Sequence, residues 1–169
     1  MLRELLRPDW LHGGTLAELP LQTLLERHVK ALVLDVDRTL LPRHRSSLPE
    51  AARRWLVTAK AQLPIHLLSN NPSRARIGAV ANQLDLPFTT GAGKPRRSAL
   101  RRVLQQLDLP HQQVALIGDR LFTDVIAGNR LGLYTVLVKP IDPDGLPCRQ
   151  DHLQRLELHL ARWVGTALG

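Results

Sequence analysis

The sequence predicts an α/β domain with a mostly parallel five-stranded sheet and helices on both faces. Three observations predict it. Short β-branched apolar runs alternate with Leu-rich segments at helical spacing. The strongest run, Ala31-Leu-Val-Leu-Asp-Val36, is nearly continuous in apolar residues, as a strand covered on both faces must be. Each gap between strands is long enough for a crossover helix, and right-handed crossovers place helices on both faces.

In chain order, strands are expected at Ala31–Val36, Ile65–Leu68, Pro87–Thr90, Val114–Ile117 and Tyr134–Val138. Helices are expected at about Pro49–Gln62, Pro72–Leu84, Arg96–Leu107 and Phe122–Leu131. Pro49 and Pro72 suit a first helical turn, where the missing N–H costs nothing. Gly132 suits a helix C-terminal cap. The segment before Ala31 and the tail after Asp142 read as additions to a core of about 31–140, within one domain spanning 1–169.

Composition narrows the function. With 169 residues, 44% hydrophobic and 22% charged, the chain can bury one ordinary core, which excludes wholesale disorder. A single cysteine, Cys148, excludes a disulfide scaffold or a multi-cysteine zinc site. Seven histidines show no metal-ligand spacing. No run approaches the ~18 apolar residues of a membrane span, and Met1–Pro8 lacks the apolar core of a secretory signal. A cytoplasmic location is expected, with peripheral membrane contact left open. The net charge is +8, and 19 of the 23 basic residues are arginine, which favours an anionic partner. A phosphate ester and an anionic membrane surface both fit. Nucleic acid does not, since 4% aromatic residues give little stacking platform.

In open α/β sheets, ligands bind at the carboxyl ends of the strands. After the first strand stands Asp35-Val-Asp37-Arg-Thr39, with two carboxylates on one face of an extended segment. Such a pair is costly unless a cation or proton intervenes, and Mg²⁺ prefers oxygen ligands and shares them with phosphate. Ser69-Asn70-Asn71 follows the second strand, ahead of a helix N-terminus. Gly91-Ala-Gly93-Lys94 then offers an ammonium on a flexible loop, and Gly118-Asp119-Arg-Leu-Phe-Thr123-Asp124 adds two carboxylates.

These four elements, in this order, resemble the haloacid dehalogenase (HAD) superfamily of phosphohydrolases. The stretches LDVDRTLL, LLSNNP and GDRLFTDVIAGNRLGLYTVLV are similar to the YqeG-type subgroup of class IIIA, which is related to phosphatidylglycerophosphate phosphatases. The resemblance implies a Rossmann-like HAD fold and a Mg²⁺-dependent phosphomonoester hydrolase. It makes Asp35 the nucleophile and Asp37 the general acid, then base. Asp35, the backbone carbonyl of Asp37 and Asp119 would hold Mg²⁺, with Asp124 a ligand or just behind. Ser69 and Lys94 would hold phosphoryl oxygens, with Asn70 a lesser contact. Asp37 also separates the chain from dehalogenases and transport ATPases, which lack an Asp at that place.

Taken alone, Ser69 reads as a helix cap, Asp124 as a cap or a site residue, and His66 as a hydrogen-bonded core residue. Arg96, Arg97, Arg101 and Arg102 read as a solvated helix face or as contacts to an anionic surface. Met1–Arg7, with Trp10 as an anchor, reads as a helix packed on the core or lying at a membrane. Neither interval between the first three motifs holds a cap domain. An open site suits a phosphate on a large or surface-bound molecule, or a site closed by a partner subunit. A lipid headgroup phosphate such as phosphatidylglycerophosphate is therefore favoured. A soluble nucleotide or sugar phosphate is the alternative, and a non-catalytic interaction protein on this scaffold is a third. Oligomeric state is not legible.

Overall fold

A strand covered by helices on both faces has no side on which to place polar residues. The two central strands, Ala31–Leu34 and Val114–Gly118, obey that demand throughout. The computed structural model describes residues 1–168. Its strands are β1 (Trp10–Leu11), β2 (Ala31–Leu34), β3 (Ile65–Leu68), β4 (Phe88–Thr89), β5 (Val114–Gly118) and β6 (Tyr134–Leu137). All pair in parallel, in the order β1-β6-β5-β2-β3-β4. The sheet thus has six strands, not the expected five. The extra one, β1, pairs Trp10 with Val136 and Leu11 with Leu137. Two residues carry no periodicity, which is why the pattern misses it. Trp10 lies half-buried in this strand, edge-on to His12 with ring centroids 5.4 Å apart.

The helices are α1 (Leu2–Leu5), α2 (Leu21–Glu26), α3 (Glu50–Lys60), α4 (Arg74–Asn82), α5 (Ser98–Leu107), α6 (Ile126–Asn129) and α7 (His152–Trp163). Pro49 sits at the N-cap of α3. α4 starts later than Pro72, because Asn71 and Ser73 are used in a turn: the Asn71 side-chain oxygen accepts from the Ser73 N–H at 2.8 Å. The cap is Ser73, whose hydroxyl accepts from the Arg76 N–H, and not Ser69. Likewise α5 begins at Ser98, so Arg96 and Arg97 lie in the preceding turn rather than on the helix. With Arg101 and Arg102 they are exposed and form no ion pair among the described residues. Gly132 has the positive φ of 74° that a helix C-terminus asks for.

The strand alternation sorts the core. Leu32 and Leu34 pack with Leu56 of α3 and Ile77 of α4 on one side. Ala31 and Val33 pack with Leu100, Val103 and Leu104 of α5 on the other. A third cluster joins Leu6, Leu121, Val125, Leu137 and Ala161, so both flanking segments are packed into the structure. The N-terminal segment is docked further by Asn129, whose amide donates to the carbonyls of Glu4, Leu5 and Arg7 at 2.8 to 3.1 Å. His66 is buried, and its Nε2 lies 2.8 Å from the Thr89 hydroxyl, as a core histidine should.

Gly128 marks the closest approach of α6 to the sheet. A Cβ there would collide with Thr135 Cγ2 and lie 3.3 Å from a Leu116 methyl. Gly128→Ala is expected to lower stability by about 1 to 3 kcal/mol. Urea denaturation should show a lower midpoint with an unchanged slope.

Candidate active site

The sheet places its polar residues where the strands end. Asp35 directly follows β2, and its N–H still donates to the Ile117 carbonyl of β5 at 2.9 Å. Asp119 directly follows β5. The two central strands therefore bring two acids side by side. Asp124 reaches the same point because the chain after Asp119 makes a π-helical turn, Leu121–Val125, a wider coil often found at functional sites. One carboxylate oxygen from each of Asp35, Asp119 and Asp124 lies within 4.8 Å of the others, and all three residues are buried.

Lys94 enters this cluster from the loop after β4. Its Nζ lies 2.7 Å from Asp35 Oδ1, 2.6 Å from Asp124 Oδ1 and 2.9 Å from the Leu68 carbonyl, so all three ammonium protons are used. Gly91 and Gly93 give the loop its turns, with φ of 56° and 69°. Asn70 clamps the loop: its side-chain oxygen accepts from the Lys94 N–H at 2.8 Å and its amide donates to the Lys94 carbonyl at 3.0 Å. Ser69 is buried at the end of β3, where its hydroxyl accepts from the Asn71 N–H at 3.1 Å.

One ammonium against three carboxylates leaves two negative charges uncompensated in a buried place. Burial alone would lower the pKa of Lys94, but Asp124 and Asp35 outweigh it and hold it above its ordinary value. Burial raises Asp119 well above the usual carboxylate range, and repulsion from Asp35 and Asp124 adds to it. Burial also pushes Asp124 up, to about 6, with Lys94 opposing and Asp35 reinforcing. Thr39 donates to Asp35 Oδ2 at 3.1 Å, whereas Asp119 Oδ2 is buried with no hydrogen-bond partner. A buried carboxylate oxygen without a donor, beside two more carboxylates, fits a hard divalent cation that takes oxygen ligands.

Asp37 stands apart from this group. Its carboxylate forms an ion pair with Arg76 of α4 at 2.7 Å and lies 3.4 Å from the Asn71 amide. Asp35, Asp37, Ser69, Asn70, Lys94 and Asp119 line one cleft of about 350 Å³, and Asp124 lies behind them, bonded to Lys94 and to the Arg120 N–H. Asp124 therefore does not cap the helix that follows it.

Seven cleft residues are absent from the sequence-derived set: Arg38, Arg43, His44, Asn71, Pro72, Arg120 and Thr123. So are the residues that brace the cleft from α7, and the tail is thus more than an addition. Asp151 pairs with Arg38 at 2.6 Å, Glu157 with Arg120 at 2.6 Å, and the Glu157 carboxylate also accepts from the Leu121 N–H at 2.8 Å. Gln154 donates to the carbonyls of Asp119 and Val138 at 2.7 and 2.9 Å. Arg38, held by Asp151, sits at φ of 65°, a conformation that costs a non-glycine residue about 1 kcal/mol or more. The available signal was an arginine inside each acidic motif, Arg38 and Arg120, each in need of a counter-charge.

The fold and its carboxylate-lined cleft are those of a HAD-type hydrolase, and known proteins agree. Residues 91–140 match the HAD-hydrolase-like family model. The probable phosphatase YqeG of Bacillus subtilis (strain 168) is 32% identical over 142 residues, which cover 83% of this chain and 81% of that protein. A stretch of 57 residues is 40% identical to phosphatidylglycerophosphate phosphatase 1, chloroplastic/mitochondrial, of Arabidopsis thaliana, covering 33% of this chain and only 16% of that protein. A solved HAD-superfamily hydrolase of subfamily III A from Legionella pneumophila shares the fold with a TM-score of 0.54 at 20% identity, over 84% of this chain and 90% of that one. The chain belongs to the HAD superfamily, among its YqeG-like phosphatases.

Two outcomes are expected of this site. Glu157→Ala should cost about 2 to 4 kcal/mol, since it leaves the buried Leu121 N–H and the Arg120 guanidinium without their acceptor. Urea titration checks it. Second, a carboxyl whose folded-state pKa is raised keeps a proton that the unfolded chain has released, so folding is favoured in acid and weakened as pH rises. In EDTA, Asp119→Asn should therefore become more stable than wild type as the pH rises above about 4, the ordinary carboxylate range. A divalent cation should raise the melting temperature of wild type more than that of the variant.

Proposed function

We propose that this phosphatase is a Mg²⁺-dependent phosphomonoester hydrolase that works through an aspartyl-phosphate on Asp35, and that its substrate is a phospholipid headgroup phosphate such as phosphatidylglycerophosphate. The observation that carries the chemistry is the buried contact of Asp35 with Lys94, beside Asp119 and its unpartnered oxygen. Asp35 and Asp119, with the backbone carbonyl of Asp37, would hold the ion, and Asp124 supports them from behind. When bound, Mg²⁺ neutralises charge on the phosphoryl oxygens.

The remaining work falls to the protein. The Asp35 carboxylate attacks phosphorus, and the bond to the leaving oxygen breaks as Asp37 delivers a proton to it. Asp37 then takes a proton from the water that cleaves the aspartyl-phosphate, which frees inorganic phosphate and restores both acids. Arg76 and the Asn71 amide keep the Asp37 carboxylate at the cleft wall for both transfers. Lys94 has no free proton in the resting site, so a phosphoryl group on Asp35 takes over the hydrogen bond that Asp35 now accepts. Ser69 offers its hydroxyl to the same oxygens. Asn70 serves by fixing Lys94, since both its polar atoms are engaged with the Lys94 backbone.

Two features support a lipid substrate. Between Thr39 and Ser69, and between Ser69 and Lys94, the chain holds only loops, α3, α4 and the strands β3 and β4, so no inserted domain roofs the cleft. Arg38, Arg43, His44 and Arg120 also line it, a setting for an anionic headgroup. The local similarity to the Arabidopsis phosphatidylglycerophosphate phosphatase points the same way.

Phosphate release from phosphatidylglycerophosphate in detergent micelles, set against a panel of soluble nucleotide and sugar phosphates, tests the substrate. Preference for any soluble ester refutes the lipid assignment. Asp35→Asn should abolish turnover of every ester with little loss of stability. Asp37→Asn should leave about a hundredth of the activity or less. It should also accumulate phosphoenzyme with a good leaving group.

A further inference from the structure

α7 has two unlike faces. The inner one carries Gln154, Glu157 and Ala161, which are buried and brace the cleft. The outer one carries Leu153, Leu156, Leu160 and Trp163, spaced i, i+3, i+7 and i+10, so that they form one stripe. They are 39, 54, 40 and 83% exposed. Beside them Arg155, His159 and Arg162, at i, i+4 and i+7, form a second exposed stripe. From Leu146 onward the sequence has two acids, Asp151 and Glu157, and both are buried and paired with arginine. Among the described residues, the outer face of the helix thus shows solvent three leucines, a tryptophan and positive charge, with no acidic side chain.

We propose that the outer face of α7 seats on an anionic lipid bilayer and so brings the cleft to headgroup phosphates. This deepens the phospholipid reading above and rests on it for its purpose, while the surface stands on its own residues. Lipid fits the face on three counts. A helix with Leu and Trp on one side and Arg beside them lies in the interfacial plane, its apolar side chains in the acyl boundary and its guanidinium groups at the phosphates. A second copy meeting this face across a two-fold axis would draw the arginine rows of both copies into one interface. The helix is also continuous with the cleft: Asp151 at its N-cap holds Arg38, and Gln154 holds the Asp119 carbonyl. At its other end, Arg3 donates to the Val164 carbonyl at 2.7 Å and adds a further cation beside the exposed Leu2. α5 contrasts with it. Arg101, Arg102, Gln105 and Gln106 are exposed there without an apolar stripe, so that face has charge but nothing to insert.

The test compares wild type with the triple variant Leu156→Gln, Leu160→Gln, Trp163→Gln in co-sedimentation with vesicles. Mixed phosphatidylglycerol and phosphatidylcholine vesicles are set against phosphatidylcholine alone. Wild type should bind the mixed vesicles at least tenfold more tightly, with a blue shift of tryptophan emission. The triple variant should lose at least tenfold in binding while its urea midpoint and its turnover of p-nitrophenyl phosphate stay unchanged. Wild type left in the supernatant with mixed vesicles overturns the proposal, as does a variant that binds like wild type. A variant that only turns a dimer into a monomer overturns it too, and makes the face a contact between copies. Vesicle binding as expected, with no phosphate released from phosphatidylglycerophosphate in micelles, supports the surface and removes the lipid substrate instead.

Discussion

Three buried carboxylates around one lysine set the terms for the rest of the structure. Asp35, Asp119 and Asp124 repel one another, and Lys94 cancels only one of their charges. A cluster of that kind holds its shape only if its backbone cannot retreat. Parallel pairing of β2 with β5 fixes Asp35 and Asp119, and the clamp of Asn70 on the Lys94 backbone fixes the ammonium. Much of the polar bonding around the cleft serves this confinement. Repulsion held there is what a bound cation would relieve, so the strain of the cluster and its fitness for a metal have one source.

The same constraint explains why the arginines of the acidic motifs look away from the carboxylates they follow. Arg38 and Arg120 would be the obvious partners for Asp37 and Asp119, yet their side chains pair with Asp151 and Glu157 of α7. If they closed on the motif acids they would satisfy the oxygens that a cation needs. Drawn outward, they leave Asp119 Oδ2 without a partner and line the cleft with positive charge. Electrostatic partition, with acids inward and arginines outward, gives one small loop system a face suited to a cation and a face suited to an anion.

How far the sequence disclosed all this depended on the range of each signal. The central strands were legible because burial on both faces demands unbroken apolar runs, and Asp35, Asp37 and Asp119 because each stands at the end of such a run, while Lys94 stood out as an ammonium on a glycine loop. The two-residue β1 was not, since pairing with β6 and not local pattern makes it a strand. The start of α4 was misplaced because Pro72 suggested a helix where Asn71 and Ser73 build a turn. Arg76, Asp151, Gln154 and Glu157 were missed because the partners that tie them to the cleft lie 16 to 113 residues away and polar pairs leave no periodicity. Periodicity reports which face a residue shows to the core, not which distant polar group it meets.

The brace from α7 also bears on the order in which the molecule is born. A chain synthesised as far as Val138 has its six strands and every acid of the cluster, yet the Leu121 N–H, the Asp119 carbonyl and the Arg38 side chain still lack their partners. Those contacts wait for residues 151–157, and closing them spans a long stretch of chain, so they form late. On the ribosome the carboxylate-lined cleft is consequently among the last parts of the protein to set. A nascent chain carries the scaffold of the enzyme before it carries the finished cleft.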